Sequence, residues 1–181
     1  MNQMTEDALL ENLRPLPDKD TTEDLKTAEL LALWTIRAWV QNSSDKSASS
    51  YHFQDGLEKA GCADAAVSFA ALLEIIGSEA NRRIEIHTTG CPCLFPDEKR
   101  ILHTLAALQT GHALEAFDVL KTLLSGAVVR IALEHAGSVA AILSRVGLHL
   151  PDRAWHLKEL LLTNHLRAPR TNATFVRYQL H

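Results

Sequence analysis

The sequence predicts an all-α protein, a compact single-domain bundle of about six or seven helices. Three observations carry this reading. Apolar residues recur at three- and four-residue spacing over most of the chain. Glycines such as Gly61, Gly77, Gly111 and Gly147 fall just past the ends of those stretches, where a helix stops most readily. Period-two alternation is confined to 82–87 and 174–180, which are expected to form one short strand pair. At 181 residues, with 46% hydrophobic and 22% charged side chains, the chain suits one folded domain and not a disordered one.

In chain order, residues 1–20 read as an acidic, loosely ordered leader containing Pro15 and Pro17. A bundle domain is expected over 21–168. Thr21 and Thr22 are suitable helix N-caps, and Glu23 and Asp24 place negative charge on the first turn, where the helix dipole favours it. That helix is expected to reach about Gln41. It contains LLALWTIRAWV, Leu30 to Val40, which is apolar around almost its whole circumference and so is expected to be enclosed by its neighbours. On that reading Trp34→Ala or Trp39→Ala costs about 3–5 kcal/mol. The polar stretch Ser43 to Ser50 reads as a mobile loop suited to partner contact.

A short helix from Tyr51 to Ala60 stops at Gly61, and a strongly apolar one from Ala63 to Ile76 is closed by Gly77. Pro96 opens the next, with Asp97 and Glu98 in its first turn, and Gly111 turns it back into a helix from His112 to Leu124. Ala127 to Val146 follows and is closed by Gly147. Pro151 and Asp152 are expected to open a last helix to about His165, followed by a basic tail at 169–181.

Charge is unevenly spread. Residues 1–30 carry eight acids against three bases, whereas 152–181 carry five bases against two acids. This reads as an acidic leader and a solvated basic tail, or as two ends that attract, within one chain or across a dimer. A net charge of −4 disfavours general nucleic-acid binding. The helix from Ala127 to Val146 offers few polar side chains to a DNA groove and reads as a packing helix. The longest near-continuous apolar run ends at Arg37, too short for a membrane span. The acidic N-terminal stretch lacks the basic start and apolar core of a signal peptide. With three cysteines that close no disulfide framework, a cytoplasmic protein with reduced thiols is expected.

Chemistry-bearing candidates are few. His87, Cys91, Cys93 and His103 are the one dense group with zinc-ligand chemistry, two thiolates and two imidazoles, although Cys-X-Cys is shorter than the usual ligand gap; Cys91 and Cys93 read otherwise as a turn with two small buried thiols, or as a strained redox pair. His103 falls opposite the apolar stripe of its helix and is expected to face solvent or a site, so His103→Ala is expected to cost under about 0.5 kcal/mol. Arg37, alone in an apolar helix, snorkels, pairs with a buried carboxylate, or faces an anionic ligand. His135 lies within an apolar stripe and reads as a core histidine with one nitrogen satisfied by a neighbour, or, with Arg37, as the mark of an anion pocket. Cys62 reads as a small apolar packing residue. No phosphate loop, nucleophile elbow or H-E-x-x-H pair is present, so no catalytic residue is assigned. The leading expectation is a non-enzymatic protein, without a cofactor, that acts on a partner protein or its own copy. A zinc-binding protein and an anionic-ligand binder are the alternatives.

Overall fold

The computed structural model describes residues 20–44 and 51–153, together with Trp155, Leu161, Thr174 and Phe175. Six α-helices follow one another among them: α1 (Thr27–Ser44), α2 (Tyr51–Lys59), α3 (Ala65–Glu79), α4 (Pro96–Gln109), α5 (Ala113–Leu120) and α6 (Val128–Arg145). A 3₁₀ turn at Thr22–Asp24 precedes α1. Strand β1 (Glu85–Ile86) pairs antiparallel with β2 (Thr174–Phe175), Glu85 opposite Phe175 and Ile86 opposite Thr174. The protein is an all-α bundle carrying one two-residue strand pair, and that pair lies inside the stretches whose alternation predicts it.

The centre of the bundle is the packing of α3, α4 and α6 on one another. Phe69 and Leu72 from α3, Leu102 and Leu105 from α4, and Val139 and Leu143 from α6 are buried there. Helix α5 folds back on α4 after Gly111, whose φ of +82° suits a residue without a Cβ. Gly147, at φ +78°, closes α6 with the paired bonds of a Schellman motif, Leu148 N–H to the Leu143 carbonyl and Gly147 N–H to that of Ser144.

Several boundaries differ from expectation. Helix α1 begins at Thr27 rather than Thr21, because Glu29 reaches back to accept the Lys26 N–H at 2.8 Å and starts the helix there. It also continues through Ser43, whose hydroxyl donates to the Trp39 carbonyl. Gly77 sits inside α3 instead of ending it; the helix runs to Glu79, and Ala80 then bridges to Leu124. Residues 121–124 leave α5 to make that contact. Residues 151–153 are not helical. The leader 1–19, the serine stretch 45–50, most of the expected last helix and the tail apart from β2 lie outside the described residues.

The largest correction concerns α1. Its Ala32, Leu33, Ile36 and Val40 are buried against the bundle, but Leu30 and Trp34 are 41% and 36% exposed. The helix is covered on one side and open along another.

The two ends meet within the chain. The Arg153 guanidinium donates to the buried Glu29 carboxylate at 2.9 Å through Nη2 and also to the Asp24 carbonyl. The bond to Glu29 raises the Arg153 pKa. Lys99 of α4 pairs with Asp20 at 2.7 Å. No helix among the described residues is long and apolar enough to cross a membrane.

Candidate functional site

Two features stand out from the packing, and they adjoin. The first is a charge cluster at the N-terminus of α4. Asp97, Glu98, Lys99 and Arg100 are consecutive, and all four are buried. Pro96 fixes the helix start, so the first-turn acids point back to the chain entering α4. Glu98 accepts the Phe95 N–H at 2.8 Å and the His87 N–H at 3.0 Å. Its two oxygens also take the Arg37 guanidinium, Nε at 2.6 Å and Nη2 at 3.0 Å. Asp97 binds the Glu85 N–H and, at 2.9 Å and 2.7 Å, Arg82 Nη1 and Arg100 Nη1. Burial pushes the Arg100 pKa down, and the adjacent Asp97 carboxylate opposes that shift.

Arg37 completes the arrangement. Its Nη1 donates to the Cys91 carbonyl and its Nη2 to the Cys93 carbonyl, each at 2.7 Å. Of the three roles open to it, pairing with a buried carboxylate is the one the structure contains. All three guanidinium nitrogens are engaged.

The loop at 87–93 is thus drawn onto α1 and α4. The His87 ring stacks on Phe95, with centroids 3.6 Å apart and planes 8° from parallel. Thr89 hydrogen-bonds Gln41 of α1 at 2.9 Å. On the outer side the Pro92 carbonyl accepts the Thr22 N–H, and Thr21 bridges Cys93.

The second feature starts where Thr89 and Gln41 meet. A groove of about 770 Å³ runs between α1 and α2. Leu30, Leu31, Trp34 and Ala38 supply its apolar floor, and Asp55 and Lys59 of α2 stand on its rim. Trp34 lies against Gly56: a Cβ there would fall 2.2 Å from the indole ring. The absence of a side chain at Gly56 thus leaves the space that the indole occupies.

The predicted site residues divide accordingly. Arg37, His87, Cys91 and Cys93 come together through Glu98 and the loop carbonyls. His103 does not join them, and it is not on the surface: it is 3% exposed, with Nε2 2.6 Å from a Glu115 oxygen on α5. The helical-wheel argument places it opposite the α4 stripe, but α5 folds over that side and covers it. Nδ1 has no hydrogen-bond partner among the described residues, which assigns the ring proton to Nε2 as donor to Glu115. We therefore expect His103→Ala to cost about 1.5–3 kcal/mol in urea unfolding, the range for a hydrogen bond to a charged group. A loss under about 0.5 kcal/mol would return His103 to the surface. His135, on α6, is half-buried. No group of three or more His, Cys, Asp or Glu among the described residues is placed to hold a metal ion. The four-ligand set His87, Cys91, Cys93 and His103 is not assembled.

Sequence reasoning missed Asp97, Glu98, Arg82 and Arg100 as one unit. The available signal was an unbroken run of four charges flanked by Leu94-Phe95 and Ile101-Leu102, an apolar setting for a helix start. No protein-family model, no curated protein and no solved structure matches the chain.

Proposed function

We propose that this chain acts by protein–protein association through the groove between α1 and α2, and that the groove takes a second copy of the same chain. The observation that carries the reading is the half-exposed Trp34 beside the exposed Leu30, on a helix otherwise devoted to the core. A helix that is apolar all round needs cover on every side, and α1 leaves Leu30 and Trp34 exposed along a groove floor that continues to Ala38, about two turns in all.

Charge on the rim favours a second copy over an unrelated partner. Asp55 and Lys59 are both exposed and stand one turn apart on α2. About a two-fold axis, residue i of one copy meets residue j of the other and the reverse, so Asp55 faces Lys59 twice. Such a rim complements itself. Three cysteines, too few for a closed disulfide framework, suit a reducing, cytoplasmic setting for this assembly.

Sedimentation velocity across a concentration series tests the reading. The wild-type chain is expected to dimerise, and Leu30→Asp is expected to be monomeric. Because Leu30 is 41% exposed, that variant should keep its helical signal and lose less than about 1 kcal/mol of stability. A wild-type monomer at every concentration sinks the proposal. So does a dimer that persists in Leu30→Asp, since its interface then lies elsewhere.

A further inference from the structure

The groove between α1 and α2 carries a symmetry of its own. Along α1 it is lined by Thr27, Leu30, Trp34, Ala38 and Gln41, with Leu31 and Asn42 beside that row. The row is mirrored about Trp34. Leu30 and Ala38 each lie four residues from it, about 6 Å along the helix, and Thr27 and Gln41 each lie seven, about 10.5 Å. Such a row can meet its own copy antiparallel, on a two-fold axis through its middle residue.

Helix α2 marks the same level independently. Pairing Asp55 of each copy with Lys59 of the other puts the axis midway between them, level with Leu57. Trp34 meets α2 at Gly56, one residue from that level. The charged rim and the apolar floor therefore place one axis to within about 1.5 Å along the helix. Copies lying parallel would set Asp55 against Asp55 and Lys59 against Lys59, like charge on like. Size agrees with charge. Leu30 is 41% exposed, whereas Ala38 is small and 5% exposed, so the antiparallel arrangement sets a projecting side chain over a recessed one.

We infer that the second copy presents its own α1, antiparallel to the first, on a two-fold axis through Trp34. The two indoles pack on each other at the axis, the usual preference of aromatic pairs that leave water together. Leu30 of each copy covers Ala38 of the other, and Thr27 of each faces Gln41 of the other, a hydroxyl against an amide. Polar ends thus bracket an apolar centre, as in the core and rim of a specific interface. The inference rests on association through this groove and adds the surface that the partner brings to it.

The test is cross-linking of the full-length double variant Thr27→Cys/Gln41→Cys with a short bifunctional maleimide, the linked peptides being identified by mass spectrometry so that native thiols are told apart. Within one chain the two positions are about 21 Å apart along α1, out of reach of the reagent. Between copies, the 27–41 link is expected to form and to yield a covalent dimer. The 27–27 and 41–41 links, each about 21 Å in this register, are expected to be absent. Sedimentation velocity of wild type and variant accompanies the mapping, and both are expected to be dimers because the substituted ends lie away from the axis. A wild-type monomer overturns the association itself and the register with it. A wild-type dimer whose variant gives 27–27 or 41–41 links, or no link at these positions, leaves the association standing and overturns the register. A wild-type dimer that the two end substitutions abolish also overturns it, because the ends and not Trp34 would then be its centre.

Discussion

Glu98→Ala is expected to lower the unfolding free energy by about 3–5 kcal/mol, the usual penalty for stranding one partner of a buried ion pair. The Glu98 side chain is fully buried and that of Arg37 is 4% exposed, so the cation left behind does not reach water. The substitution also takes the acceptor from the His87 and Phe95 N–H groups, which lie at the entry to α4 and just after β1. Part of the loss is returned, because the carboxylate no longer has to be desolvated. Separating these contributions requires the double variant Arg37→Met/Glu98→Leu. With no stranded charge, it is expected to recover more than half of the single-variant loss. Two unmatched N–H groups and two unmatched carbonyls, those of Cys91 and Cys93, would account for the remainder. Urea unfolding of wild type, Arg37→Met, Glu98→Leu and the double closes the cycle, with an expected coupling of about 2–3 kcal/mol. If Glu98→Ala lost less than about 1 kcal/mol, water would have to reach Arg37, and the loop at 87–93 would not be held as described.

The parts of the fold that were readable from sequence are those set by local rules. Gly111 and Gly147 sit where the apolar periodicity ends, and both adopt the positive φ that their positions require. Two stretches of alternation far apart in the chain found each other at Glu85–Ile86 and Thr174–Phe175, because an isolated strand has no partner for its backbone groups. Burial across helices was not readable. His103 points away from the stripe of its own helix, and only the return of α5 decides that this direction is interior. Leu30 and Trp34 show the opposite limit. An apolar circumference says that a helix is covered, but not whether this chain or another one does the covering.

The charge cluster failed to show for a related reason. A run of Asp, Glu, Lys and Arg is ordinarily a solvated surface, and the cost of burying it is met here by residues remote in sequence. Arg37 reaches Glu98 across 61 positions, and Arg82 reaches Asp97 across 15. Arg37 stood out in the sequence because it interrupts an apolar helix. Nothing around Glu98 marked it as the partner.

Asp97→Ala should rival Glu98→Ala in its effect, for a different reason. Asp97 is 2% exposed and stands between two guanidiniums, Arg100 with a side chain 2% exposed and Arg82 with one 24% exposed. Burial already lowers the Arg100 pKa, and the nearby Arg82 charge lowers it further; the attraction and hydrogen bond of Asp97 are what oppose them. A cation whose pKa falls on folding binds its proton less tightly in the folded chain, so it opposes folding at every pH below the alkaline range. Removing Asp97 enlarges that opposition and leaves two like charges facing each other without a mediator. The expected loss is again about 3–5 kcal/mol. Asp97→Asn, which keeps the shape and an acceptor oxygen but not the charge, is expected to fall between Asp97→Ala and wild type. Salt distinguishes this cluster from surface pairs. At 1 M ionic strength the screening length is about 3 Å, which weakens exposed pairs such as Arg145–Asp64 but penetrates little into a buried cluster. The difference between wild type and Asp97→Ala should therefore survive in 1 M sodium chloride. If it vanished there, Asp97 would be acting as a surface charge, and the start of α4 would have to be hydrated rather than sealed.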